Sequence, residues 1–242
     1  MVIVVDTNKP QMTECPELLK KSKMIAVLDH HRQSSNIIEN AVLSYVEPYS
    51  SSTCEMIAEV LQYMVDDIKF PALEAECMYA GIMIDTRNFM NRTGVRTFEA
   101  AAYLRRCGVD IIKVKKWFQS DLQSFNIIAD IVKSAEIVNE SIAIAIYDKE
   151  KAKDVSLICA KAADELLTIN DVTASFVLGN TGDKICISGR SIGDINVQVI
   201  LEKLGGGGHI TLAGAQVEGM TMEEAKQELI IRINEYFTEI EN

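Results

Sequence analysis

Hydrophobic and polar positions divide the chain into two textures. In the first, short unbroken apolar runs alternate with stretches of helical period. Val2-Ile3-Val4-Val5 and Met24-Ile25-Ala26-Val27-Leu28 lack polar alternation. Such runs predict strands buried on both faces, as in a parallel sheet. Between them, 16–22 carries Pro16 and Leu18-Leu19 and predicts a short helix. Strand, helix, strand predicts a parallel pair with a right-handed crossover. A polar turn follows at 33–36, and 37–46 reads as a loop or short strand. Ser50-Ser51-Ser52-Thr53 then caps a helix over 53–65, with Glu55 in its first turn. Met56, Ile57, Val60, Leu61 and Met64 form its apolar stripe. Pro71 opens another helix, with Leu73, Cys77, Ala80, Gly81 and Ile84 on one face, running out at Asp85. A helix over 97–107 stops at Gly108, and 110–137 reads as a mostly helical connection with Trp117 and Phe118 in the core.

The second texture begins near 135–140. Residues 142–146 predict a strand and 151–168 a helix burying Ala160, Ala163, Leu166 and Leu167. Residues 175–178 and 184–188 flank a Gly-Asn-Thr-Gly turn and predict a hairpin. A helix over 196–204 places Val197, Ile200, Leu201 and Leu204 on one face. A strand over 213–217 and an amphipathic helix over 222–240 close the chain.

Composition narrows the function. The 242 residues are 48% hydrophobic, enough to build a core. A formal net charge of −11 argues against nonspecific binding of duplex nucleic acid, which needs a basic face. The six cysteines form no C-x-x-C pair and none lies near a histidine, so reduced, mostly buried thiols are expected rather than staples or zinc. No apolar run approaches the ~18 residues of a membrane span.

Only three histidines occur. His30 and His31 follow Asp29 at the end of a predicted strand, and His209 ends the run Gly205-Gly206-Gly207-Gly208. Asp6 also ends a predicted strand, so Asp6 and Asp29 would emerge together at the carboxyl edge of the sheet, where open α/β sheets bind ligands. A lone turn-entry aspartate is usually structural. The recurrence of strand-end placement makes Asp6, Asp29, His30 and Asp85 a candidate metal set, suited by its oxygen and imidazole donors to manganese, magnesium or iron. Two such ions support phosphoryl displacement. The glycine run fits equally a phosphate-wrapping backbone and a flexible loop; it is neither a Walker A nor a dinucleotide fingerprint. Arg190 in Ser188-Gly189-Arg190-Ser191 is a bidentate phosphate partner or a solvated arginine. Arg87, Asn88 and Arg92 follow Asp85, and read as solvated or as the rim of a phosphate pocket.

These motifs, in this order, resemble the DHH phosphoesterase superfamily: Val5-Asp6-Thr7, then Asp29-His30-His31, then Gly81-Ile82-Met83-Ile84-Asp85-Thr86. The Gly-Gly-Gly-Gly-His run resembles its DHH-associated substrate domain. Glu47 through Thr53, 195–209 and Ala213-Gly214-Ala215-Gln216 look most like the GdpP-type cyclic-di-AMP phosphodiesterases. The resemblance implies an α/β fold: a parallel-sheet DHH domain over 1–137, incomplete at its N-terminus, then a smaller α+β DHH-associated domain over 138–242. It implies two manganese ions per complete site, with magnesium or cobalt as alternatives. Asp6 matches the bridging ligand, and His30 and Asp85 match ligands of one ion. Asp29 matches a supporting partner and His31 a residue facing the scissile phosphate. Arg190, Ser191, Gly206, Gly207, Gly208 and His209 match the residues holding the nucleotide. The implied reaction is hydrolysis of cyclic di-AMP to linear pApA by metal-activated hydroxide. A short-oligonucleotide exonuclease, a bisphosphate phosphatase of the same superfamily and a non-catalytic nucleotide-binding module are the alternatives. A homodimer is also implied.

One feature departs from the family. The His-x-x-x-Asp-x-Asp strand that supplies the other ion's ligands is not found. This predicts an N-terminally truncated catalytic module, weakly active or inactive alone. Family members of this type also carry membrane helices and sensor domains upstream, which would hold the site at the cytoplasmic face of a membrane-anchored parent.

Overall fold

The computed structural model describes residues 1–33, 36–64, 71–149 and 154–241. The middle of the 33–36 turn, the last residue of the 53–65 helix and the first three of the 151–168 helix lie outside them. The chain packs as two units, Met1–Gln119 and Ser120–Asn242.

In the first unit, β1 (Val2–Val5), α1 (Glu17–Lys21), β2 (Ile25–Asp29) and β3 (Leu43–Val46) give a parallel sheet in the order β1-β2-β3. Burial on both faces holds for β2 only. β1 is an edge strand: Val4 faces the core formed with Leu19, Ile25, Val27 and Ile38, while Ile3 and Val5 are half exposed. A β-branched run reports strand propensity, not how many neighbours the strand acquires. Then follow α2 (Thr53–Met64), α3 (Ala72–Asp85), α4 (Val95–Arg106) and α5 (Ile111–Trp117). Ala58, Ala75, Ile82, Ala100, Leu104 and Val114 close their shared core. The buried face of α3 carries Ala75, Glu76, Ala80 and Ile82, while Leu73 and Ile84 are exposed. This helix is apolar nearly all round, so spacing alone selects the wrong face. Glu76 is tolerated in the interior because Lys113 Nζ reaches its Oε2 at 2.5 Å. Trp117 and Phe118 are not core; both are exposed, with Lys113 Nζ 6.0 Å from the Trp117 ring centroid.

In the second unit, α6 (Leu122–Lys133) packs on α7 (Val155–Leu166), so a helix read as a connection belongs to this core. The strands are β4 (Glu136–Val138), β5 (Ile142–Tyr147), β6 (Ala174–Asn180), β7 (Ile185–Ser191), β8 (Gly207–His209) and β9 (Leu212–Val217). They form one mixed sheet in the order β4-β5-β6-β7-β9-β8. β4 falls where the sequence suggested helix; three residues are too few for a period to show. The helices α8 (Val197–Glu202) and α9 (Met222–Glu241) bury Val197, Ile200, Leu201, Leu229 and Ile233 against one face, with Phe176 and Ile187 beneath them. α7 covers β6 and β7 on the other face. Asp110, Asp121, Asp154 and Asn196 accept the first free backbone N–H groups of α5, α6, α7 and α8. Among the described residues no helix is long and apolar enough to cross a membrane.

Candidate functional site

Parallel pairing brings the ends of β1 and β2 side by side. Val5 sits beside Leu28, and the Asp6 N–H donates to the Leu28 carbonyl at 3.0 Å. Asp6 then turns left-handed, with φ 65°. That region favours glycine and is best tolerated by Asn and Asp among other residues. Thr53 Oγ1, at the start of α2, donates to Asp6 Oδ1 at 2.8 Å. A strained backbone and a dedicated donor thus fix one carboxylate at the sheet edge.

His30 is buried beside it. Its Nδ1 lies 3.4 Å from the Ser50 carbonyl, an acceptor that calls for a proton on that nitrogen. Its Nε2 lies 3.6 Å from Asp6 Oδ1 and 3.9 Å from Asp85 Oδ2. Asp85 comes from the last turn of α3. Burial pushes its carboxyl above the usual range against the pull of His30, and Asp6 adds to the rise. His31 completes the group: Asp6, His30 and His31 each offer a ligand atom, all within 4.8 Å of one another. Asp85 joins through His30.

Beneath them is Asp29, fully buried at the end of β2. Its Oδ1 accepts from the His31 backbone N–H at 3.1 Å and faces His31 Nδ1 at 2.8 Å. Its Oδ2 accepts from Asn8 Nδ2 at 2.6 Å. A buried carboxylate is tolerable only with such partners.

The neighbouring segments are held by local hydrogen bonds. Ser50, Ser51, Ser52 and Thr53 are all buried. Ser52 Oγ accepts the Glu55 N–H at 3.0 Å, and Ser51 donates through its hydroxyl to Glu55. After Asp85, Arg87, Asn88 and Phe89 are left-handed at φ 47°, 57° and 64°. Buried Thr86 holds this turn: its Oγ1 accepts from Phe89 N–H at 3.0 Å and its carbonyl from Met90 and Asn91, each at 2.9 Å. Arg92 is left-handed too, and its Nη2 is 3.4 Å from the Pro48 carbonyl.

A metal would fit here. Two carboxylates and an imidazole lone pair converge on one point, an arrangement that repels itself until a cation sits between them. Oxygen donors with one or two imidazoles suit a hard or borderline divalent ion.

The same charges act on Cys54, in the first turn of α2. Burial pushes its thiol up to about 11, with Asp85 and Asp6 adding to the rise. Alkylation at pH 8 with mass mapping is therefore expected to label exposed Cys15 and Cys77 first and to spare Cys54. Equal labelling of Cys54 and Cys77 would contradict this field. Cys159 and Cys186 are buried and Cys54 and Cys107 half-buried, so the expectation of mostly buried thiols fails for Cys15 and Cys77, which are exposed.

In the second unit, strand register decides what the other candidates share. Arg190 pairs with Leu212 and Leu212 with His209, so the three project to one side of the sheet. Ser188, Gly214 and Gly207 form the next row on that side. Leu212, Gly214, Gln216, Gly207 and His209 remain exposed beyond the cover of α7, making a polar shelf. Arg190 is buried at its inner end, its Nε donating to Asp164 Oδ1 at 3.1 Å. It is therefore not a solvated arginine. Ser191 projects to the opposite side, is buried, and accepts the Gly193 N–H at 2.9 Å. The glycine run is not a flexible loop: Gly207, Gly208 and His209 form β8 against β9. A Cβ on Gly206 would collide with the Gly214 carbonyl, and on Gly208 with that of Leu212, whereas on Gly207 it would meet open space.

Sequence reading missed Asn8, Thr53 and Asp164. Thr53 looked only like a helix cap, and Asp164 belongs to no motif. Asn8 follows Asp6 by two residues, a nearness that could have flagged it.

The N-terminal domain of the DHH family matches residues 1–82, and the DHHA1 domain matches 139–239. The cyclic-di-AMP phosphodiesterase GdpP of Geobacillus thermodenitrificans is 45% identical over 98% of this chain, which spans 36% of that protein's length. The bifunctional oligoribonuclease and PAP phosphatase NrnA of Mycoplasma genitalium is 30% identical over 89% of the chain and 68% of its own length. A crystal structure of an exopolyphosphatase-related protein from Bacteroides fragilis superposes with a TM-score of 0.86 at 19% identity, covering 99% of this chain and 73% of that one. At that identity the last likeness speaks for the fold alone.

Proposed function

We propose, for a chain that belongs to the DHH family and carries its DHHA1 domain, hydrolysis of cyclic di-AMP to linear pApA with manganese, or magnesium or cobalt in its place, at the first unit. The observation that carries this reading is the convergence of Asp6, His30, His31 and Asp85 at the ends of two parallel strands and one helix. The 45% identity to a cyclic-di-AMP phosphodiesterase supports the substrate.

Asp6, His30 and Asp85 would hold the ion, which supplies Lewis-acid polarisation of a phosphoryl oxygen when bound. Ser50 keeps the His30 proton on Nδ1, so that Nε2 presents its lone pair to the site. Asp29 does the same for His31: its carboxylate takes the Nδ1 proton as a partner and leaves Nε2 to accept from, or when protonated donate to, an oxygen of the reacting phosphate. In the second unit, the shelf bearing His209, Gly207 and Gly214 would hold a nucleotide. Its open backbone admits a base or phosphate closely, with the Arg190 guanidinium at its inner end.

A panel with manganese tests the reading on the complete native protein: cyclic di-AMP, pApA and adenosine 3′,5′-bisphosphate. Cyclic di-AMP should be consumed fastest, with pApA accumulating. Cleavage of linear dinucleotides or of the bisphosphate while cyclic di-AMP survives would instead favour the second reading, an oligoribonuclease or bisphosphate phosphatase, to which the NrnA likeness points.

A further inference from the structure

We infer that Asn8 is a positioning residue for His31, acting through Asp29. The inference rests on the proposed reaction for its kinetic consequence, but not for its structural core. Asn8 is 3% exposed, although it lies just beyond an edge strand. Its Nδ2 donates to Asp29 Oδ2 at 2.6 Å and lies 3.5 Å from the His31 carbonyl. The amide orientation is fixed by chemistry: an oxygen in place of Nδ2 would face the Asp29 carboxylate with no proton between them. Asn8 Oδ1 is then buried with no hydrogen-bond partner among the described residues. An interior amide with an idle oxygen is unfavourable by itself. The bond to Asp29 is the compensating feature.

Asp29 has two oxygens and divides them. Oδ2 is held by Asn8, which leaves Oδ1 to face the His31 ring at 2.8 Å and the His31 N–H at 3.1 Å. Without Asn8 the carboxylate is held from the His31 side alone, and χ2 is a broad torsion for a carboxylate. The His31 tautomer with the proton on Nδ1 then loses its anchor. Asn8 itself touches no reacting atom. It sets the direction in which Asp29 sets His31.

The test uses Asn8→Ala and the similarly sized Asn8→Leu, which keeps the packing and removes the donor. With three histidines in the chain, isotope-edited NMR of the imidazole nitrogens resolves each ring. In the unsubstituted protein at alkaline pH, His31 should carry its proton on Nδ1. Both variants should move it toward a mixture of tautomers. In the complete protein, kcat should fall about 10- to 100-fold, the usual cost of losing such a supporting partner, with KM for cyclic di-AMP changed less than about two-fold. In an Asp29→Asn background, Asn8→Ala should cost less than about two-fold more, since its route to His31 is already cut. An unchanged His31 tautomer, or the same loss with and without Asp29, overturns the inference. If the unsubstituted protein hydrolyses no phosphodiester, the proposed reaction fails, while the tautomer measurement still decides the role of Asn8.

Discussion

Asp6→Ala in the complete protein should lower turnover by about 1,000-fold or more, because a metal's stabilisation of a phosphoryl transition state is worth several kcal/mol. Asp6 is the carboxylate placed nearest to His30 Nε2, at 3.6 Å. It is also the one given a private donor, Thr53, and a left-handed backbone. Arg190→Ala should cost less, because it removes only the proposed substrate contact and an ion pair with Asp164. Asp6→Asn separates charge from strain, since asparagine tolerates φ 65° while contributing no negative charge. Steady-state kinetics and calorimetric titration with manganese would show turnover and metal affinity falling together. Activity of the Asp6 variants equal to that of the unsubstituted protein would rule out the metal assignment.

The second large effect concerns the glycine run. Alanine at 206 or 208 should destabilise the second unit by about 1–3 kcal/mol, the usual cost of overpacking, whereas alanine at 207 should change it by less than about 0.5 kcal/mol. Gly206 lies 2.7 Å, measured from an added Cβ, from the Ala215 Cβ. Gly208 faces Ala213 and in addition has φ 150°. Gly207 has neither constraint, so four identical letters conceal different jobs. Denaturant dependence of amide hydrogen exchange in the second unit's strands would separate them. Three variants of equal stability would remove the close-approach explanation.

What could be read without coordinates follows a physical line. Strand ends bearing Asp6 and Asp29 were legible because unbroken apolar runs stop abruptly there, and parallel pairing follows from the strand–helix–strand order. The Ser50–Thr53 cap was legible because Ser52 acts on its own next turn, accepting the Glu55 N–H. Properties set by the neighbour across space were not. Val5 looks as buried as Val27 until the sheet order makes β1 an edge. Leu73 and Ile84 look like a core face until α2, α4 and α5 choose the other side of α3. Asn8 finds Asp29 only because β1 and β2 pair in register, 21 positions apart in sequence. Arg190 and His209 share one side of a sheet through Leu212, a fact of register that no motif contains.

The left-handed turn after Asp85 bears on the backbone entropy of the fold. Arg87, Asn88 and Phe89 reverse the hand of the helix they leave, yet the amides of Asn88 to Asn91 are all hydrogen-bonded back to Met83 or Thr86. Ordering a backbone residue costs about 1–2 kcal/mol. Here that cost is met once, when the protein folds. The side chains of Arg87 and Arg92 are therefore carried on a backbone whose freedom was given up at folding rather than left for a later event.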